Sequence, residues 1–381
     1  MTLLKSFTLR ASLALAVSLV SLTMVQAKQK LDQPALLAAD ALKPVAEVKE
    51  YIPDYIAVGD DGRLFAEFSR YNTNIGPALA IIQHDNSIIP YPGGTWNEWN
   101  KSAQNRDPAN SFIGLDGMTM TQDEKLWVLD SGIDKTSNTM VKNGAKIVEI
   151  DTKTNKVVKT HPIPSSVLRD KTILNAIAVY NNHAYIADRG APALIIFELN
   201  TGQARRVLEN SSTLYSRNAI VVDGQTLRPS LDQNSRFNVN QLAISPDGKR
   251  LYYQAVSGPL YRIDTMYLND PTYSEAELNE AMMLWFKTPS SGGIVCGPDG
   301  TLYFDDIATN SVYRFTTGRI LNKLITDPRL KWPGHPFVTK NNVLYIPTTQ
   351  LNQTKLFNKQ DHSTIQWPLP IYSLTPPPLK N

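Results

Sequence analysis

A single cysteine, Cys296, lies in the apolar run "GGIVC", so no internal disulfide can staple this chain and its stability must come from burial. With no His or Lys beside it in sequence to lower its pKa, Cys296 reads as a small buried hydrophobe rather than a reactive thiol. Surplus charge is also missing. The 38 basic and 35 acidic residues nearly cancel, which leaves no clustered Lys and Arg with which to grip nucleic acid. Long apolar runs are absent, since "ASLALAVSLV" from Ala11 falls short of the roughly 20 residues that cross a bilayer. The chain has no G-x-S-x-G elbow, no H-E-x-x-H, no phosphate loop and no Rossmann fingerprint, which disfavours covalent serine hydrolysis and nucleotide chemistry.

What is present begins with a leader pattern. Lys5 and Arg10 precede the short apolar run, and Val25-Gln26-Ala27 offers a small-residue cleavage site, so residues 1–27 are expected to be a signal peptide and the protein to be secreted or periplasmic. Without Lys5 and Arg10 the basic count falls from 38 to 36, close to the 35 acids. About 350 residues remain, enough to bury a large core. An extended N-terminal segment is expected over 28–49, the folded domain over 50–372, and a Pro-rich tail over 373–381.

One unit recurs six times: "YIAVGDDGRLFAEF" from Tyr55, "GMTMTQDEKLWVLD" from Gly117, "AIAVYNNHAYIAD" from Ala176, "QLAISPDGKRLYYQ" from Gln241, "GIVCGPDGTLYFDD" from Gly293 and "PFVTKNNVLYIPT" from Pro336. Each is a β-rich run, a short Asp/Asn/Gly turn and a second run with an aromatic near its start, the signature of a hairpin. Further hairpins follow most copies, with turns at Thr154-Asn155, Thr201-Gly202 and Thr317-Gly318. Four strands per unit predict an all-β six-bladed β-propeller of antiparallel blades around a central channel. The one amphipathic segment, "YSEAELNEAMMLWF" from Tyr273, is expected as an excursion between blades four and five.

Several segments resemble the major royal jelly/yellow protein family: "IIPYPGGTWNEWN" from Ile88, "KLWVLDSG" from Lys125, "HAYIADRGAPALIIFEL" from His183 and "LAISPDGKRLYYQAVSGPLYRIDT" from Leu242, in the family's order. The resemblance implies a secreted six-bladed propeller that binds a small polar or aromatic molecule at its channel. Yellow-type proteins are associated with pigment metabolism, and some salivary members bind biogenic amines. Bacterial relatives are labelled as similar to gluconolactonases or dopachrome tautomerases, so a hydrolase or an isomerase is the implied enzyme class, if the chain is an enzyme. The paired cysteines of insect members are missing here.

Superposing the six hairpins by their turns places Asp54, Asp116, Asn175, Asn240, Gly292 and His335 just before the innermost strands, where they converge on the channel axis. Oxygen-bearing side chains gathered this way suit a hard divalent cation such as Ca or Mg, or Zn. The same types are also favoured at strand entries as plain turn residues. The layout resembles that of senescence-marker/gluconolactonase propellers, which implies Asp54, Asp116, Asn175 and Asn240 as metal ligands and Asp116 as the base of a lactonase-like hydrolase. Asp130, Asp188, Arg189 and His335 are the candidates for contacting a ligand at the same mouth. A rim that docks protein partners is a third reading, with no partner named by the residues.

Overall fold

A computed structural model of the chain describes residues 31, 33–69, 76–99, 107–227, 237–358 and 362–379. The leader expected over residues 1–27 lies outside them. Six four-stranded antiparallel sheets form a ring, and their innermost strands meet in succession around it: Ile52–Val58 in blade I, Leu115–Met120 in II, Leu174–Tyr180 in III, Val239–Ile244 in IV, Ile294–Cys296 in V and Phe337–Val338 in VI. The chain is a six-bladed β-propeller. Among the described residues no helix is long and apolar enough to cross a membrane.

The near-continuous apolar runs of the repeats follow from the ring. Each blade is covered by a neighbour on both faces, so inner-strand side chains of either parity are buried. Trp127, Leu129 and Ile147 of blade II pack against Ile177, Ile186 and Phe197 of blade III. Val48 and Ile371 of blade VI meet Ile56, Val58 and Ala66 of blade I in the same way. Burying each such side chain contributes about 1.5–3 kcal/mol. Outer strands read differently: Lys156–Pro162 is mostly exposed or half-exposed.

Closure comes from the N-terminal side. Residues 43–48, expected in a segment outside the propeller, pair antiparallel with Leu369–Leu374 as the outermost strand of blade VI, with Lys43 opposite Ser373 and Val48 opposite Leu369. The residues before them lie along blade V, where Leu36 and Leu37 donate to the carbonyls of Lys323 and Leu324. The domain therefore starts before residue 50, and its last strand runs two residues past 372. The amphipathic segment is likewise inside a blade. Helices Thr265–Asn269 and Glu275–Ala281 join the third strand of blade IV to the fourth, Met283–Phe286, and Ser274 and Glu277 form a capping box at the second helix.

The two ends of the channel differ. Links from strand one to strand two are tight turns, eased by left-handed glycines at Gly62, Gly248 and Gly300. Links entering the innermost strands, and those from strand two to strand three, leave at the opposite end and include the long excursions. These cover that end: Trp99 Nε1 donates to Asp134 Oδ2 3.0 Å away, and Asn238 Nδ2 to the Arg189 carbonyl at 3.1 Å.

Buried aspartates fasten the entry loops. Asp130, the last residue of the second strand in blade II, accepts from the backbone N–H groups of Ile113, Gly114 and Gly132 and from Lys146 Nζ at 2.6 Å. Asp188 repeats this in blade III with Ile173 N–H, Thr172 Oγ1 and Arg206. Asp305 repeats it in blade V with Gly292 and Gly293, and its burial, outweighing those bonds, pushes its carboxyl well up. Replacing Asp130 with Ala strands a buried Lys146 and should cost about 3–5 kcal/mol of unfolding free energy in denaturant titrations. A second prediction concerns His161. Burial, aided by Lys159, lowers its pKa from 6.5 to about 4. The unfolded chain then binds a proton that the fold does not, so stability falls as pH drops from 6.5 toward 4. His161→Phe should lose less over that window in denaturation measured by circular dichroism.

Candidate functional site: a polar ring under the roof

Four of the predicted ring residues lie one or two positions past the start of the innermost strands rather than ahead of them, and each sits at or beside a break in strand register. Asp54 is skipped between the pairs Pro53–Phe68 and Tyr55–Glu67, and Asn240 between Val239–Ala255 and Gln241–Gln254. Asp116 and Gly117 are skipped together in blade II, and in blade III the bulge falls on Ala176, beside Asn175. A bulge turns its side chain out of the alternating pattern, so these residues leave the blade interface. Gly117 lets the two strands approach closely, since a Cβ there would lie a tight 3.1 Å from the backbone of Ala176.

Neighbouring blades are joined through these residues. Asn175 Nδ2 donates to the Asp116 carbonyl at 3.0 Å, which leaves Asn175 Oδ1 without a partner. His335 N–H donates to the Asp54 carbonyl at 2.8 Å, and the His335 ring stacks on Tyr55 with centroids 3.7 Å apart and planes at 9°. His335 Nε2 lies 3.2 Å from the Asn240 carbonyl, which places the proton on Nε2 and makes Nδ1 an acceptor. That Nδ1 has no hydrogen-bond donor and faces Asp54 Oδ1 at 3.5 Å. Asn240 Oδ1 and Tyr55 Oη are buried without partners as well. Burial and the nearby Asp54, Glu67 and Asp116 carboxylates raise the Tyr55 pKa well above its usual value, with Arg189 opposing, so the phenol keeps its proton.

Gly292 breaks the ring for a steric reason. A side chain there would strike the Pro333 carbonyl, and one on Gly293 would approach His335 Cα to 2.7 Å. Blade V thus yields the space that the His335 segment fills.

Asp116 is ion-paired. Its Oδ2 lies 2.6 Å from Lys135 Nζ, and its Oδ1 3.8 Å from Arg189 Nη2. Lys135 follows the short strand Ile133–Asp134, in the excursion between the second and third strands of blade II. Arg189, from the end of the second strand of blade III, therefore joins the ring, whereas the Asp130 and Asp188 oxygens are occupied by the entry loops. Tyr55, Glu67 and Lys135 were not anticipated from sequence. Glu67 did leave a signal, an acid inside the apolar run "LFAEF". Lys135, in an irregular loop, left none.

Two cationic side chains already address the Asp116 carboxylate, which opposes a divalent cation at that residue.

The sequence pattern of the major royal jelly protein family matches residues 117–325, more than half of the chain. The chain belongs to the major royal jelly protein family. The match runs from the innermost strand of blade II to the last strand of blade V, so it includes Asn175, Arg189 and Asn240 but not Asp54 or His335. A search of curated proteins finds no match. Among solved structures, a gluconolactonase from Xanthomonas campestris superposes with a TM-score of 0.51 at 11% identity, over 91% of this chain and 95% of that one. Virginiamycin B lyase from Staphylococcus aureus gives 0.46 at 16% identity, over 80% of each chain. At such identities the likeness is one of fold.

If the ring needs no metal, dialysis against a chelator should leave the melting temperature within about 1 °C, because an ion that binds only the fold stabilises it by RT ln(1 + c/Kd), with c its free concentration, which removal of the ion would take away. A larger drop, reversed by a divalent ion, would contradict the charge argument.

Proposed function

We propose that this royal jelly-family propeller binds a small polar molecule at the roofed end of its channel, between the polar ring and the excursions above it. The observation that carries the reading is the set of buried atoms without hydrogen-bond partners at adjoining positions: Tyr55 Oη, Asn175 Oδ1, Asn240 Oδ1 and His335 Nδ1. Each costs about 1–3 kcal/mol when left unmade, so four together represent stability given up at one place. Three are acceptors. Asp54 Oδ1 adds a fourth, 3.5 Å from His335 Nδ1, where one ligand N–H or O–H could serve both. The preferred ligand is therefore rich in hydrogen-bond donors, a hydroxylated or amino compound rather than an anion. No contact in the ring favours the lactonase-like alternative. The leader pattern in residues 1–27 supports export as part of the same proposal.

A thermal-shift screen of polyols, amino alcohols, aromatic amines and aldonolactones tests it. A ligand should stabilise the wild type and lose at least about tenfold in affinity when Asn175 and Asn240 are both changed to Leu, while the unliganded variant still melts cooperatively. A ligand held equally well by that variant would refute the ring as the site.

A further inference from the structure

On the outer rim, away from the channel, the groove between blades IV and V collects cations around one tryptophan. Trp285 is the residue skipped where Met283–Phe286 pairs with the third strand of blade IV, since Leu260 lies opposite Phe286 and Tyr261 opposite Leu284. This bulge turns the indole toward blade V, where it meets Phe315 edge-on with centroids 6.3 Å apart. Arg262 of blade IV places its Cζ 4.3 Å from the Trp285 ring centroid, and Arg319 of blade V places its own at 4.7 Å. Each guanidinium is attracted to the electron-rich indole, but two on one ring repel each other, so an anion between them would be stabilised.

Neither guanidinium is satisfied by the fold. The Arg262 side chain is only 17% exposed, yet its nearest carboxylate oxygen, Asp264 Oδ1, lies 4.0 Å away, beyond hydrogen-bond distance. That oxygen is itself buried without a partner. Arg319 donates to the Trp285 carbonyl at 3.0 Å and pairs with no carboxylate among the described residues. It also holds a left-handed backbone, φ 63°, in the turn between Ser311–Phe315 and Leu321–Thr326, where glycine would be unstrained. Lys323, 5.8 Å from the Tyr313 ring, adds a third cation on the blade V side. The acids nearby are Asp264 and Asp247, and Asp247 is held by Ser245 Oγ and the Lys249 N–H.

The surface beside these cations is apolar and uncovered. Met283, opposite Arg262 in the register, is 45% exposed, and Ile320, next to Arg319, is 59% exposed. Leu36 and Leu37 cover the outer strand of blade V, but no described residue pairs with the free edge of Met283–Phe286. The Trp285 and Phe286 carbonyls are already bonded, to Arg319 and to the Thr288 N–H, so the edge is poorly suited to receive an added strand. A partner there would be read by side chains, and Arg, Trp and Met are the types enriched where proteins meet.

We propose that this groove docks an acidic segment of a partner protein, with a carboxylate held between Arg262 and Arg319 and an aliphatic neighbour covering Met283 and Ile320. Carboxylates match guanidinium groups in a planar, two-bond geometry. The apolar flank favours a protein segment over a sulfated polysaccharide. The groove shares no residue with the ring, so the two can be tested apart.

The test measures fluorescence anisotropy of a short fluorescein-labelled peptide of alternating Leu and Glu. The wild type should bind it saturably, and at least tenfold more tightly than the alternating Leu-Lys and Ser-Glu peptides. Arg262→Gln/Arg319→Gln should weaken it at least tenfold. Arg319→Gly, which suits the left-handed turn while removing the guanidinium, should weaken it at least threefold and still melt cooperatively, as should Met283→Ser/Ile320→Ser. The Asn175→Leu/Asn240→Leu variant should bind as the wild type does. No saturable binding, or undiminished binding in the arginine variants, overturns the proposal. Should the Arg262 variant fail to fold, Arg319→Gly decides alone, because Arg319 is exposed. Equal affinity for the Ser-Glu peptide or for chondroitin sulfate would make the groove a general polyanion site and overturn the protein-segment reading. A wild-type dimer in sedimentation velocity that Arg319→Gly dissociates would make the occupant a second copy of this chain and overturn a separate partner.

Discussion

The pairing of Lys43–Val48 with Leu369–Leu374 makes the rest of the structure possible. Six sheets in a row would leave the outer faces of the first and last exposed, and the innermost strands would diverge. Completing blade VI with a strand from the start of the chain lets Val48 and Ile371 cover Ile56 and Val58 of blade I, so each sheet is enclosed on both faces. Closure also brings Asp54, from the first blade, beside His335 of the last.

Given a closed ring, two devices shape its centre. Buried aspartates on second strands hold the entry loops by their backbone N–H groups, and in blades II and III cations from other strands of the same sheet balance them. Register breaks then turn Asp54, Asp116 and Asn240 out of the ladder toward the axis. The first device concerns stability and the second gives some of it up, since buried oxygens without donors and a bulged, left-handed Ala176 are unfavourable for folding alone. Concentration of such costs at one end of one axis is the physical reason to read a site there.

Much of this was legible in the sequence. The hairpin repeat has a fixed geometry, and a strand covered on both faces must be apolar at both parities, so blade number and strand content could be read from residues. Which residues face the axis was partly legible, because Asp54, Asp116, Asn175, Asn240 and His335 hold corresponding places in the repeats. Three things were hidden. A bulge leaves no compositional mark, so the ring appeared to precede the strands instead of lying within them. The difference between Asp116 and Asp130, one facing the ring and the other bound to an entry loop, depends on main-chain N–H groups that local sequence does not place. Lys135, whose charge alters the chemistry of Asp116, arrives through an excursion without periodicity. The closing strand was missed because its partner lies more than 300 positions along the chain.

The most direct measurement is an electron-density map of the roofed end of the channel, from crystals of protein purified without added ligand and then soaked with the tightest compound from the screen. The account predicts density for that compound within hydrogen-bond distance of Asn175 Oδ1, Asn240 Oδ1 and the Asp54–His335 pair, with Asp116 still bound to Lys135. A map in which those side chains have turned to bond one another, and the compound lies elsewhere, would contradict it.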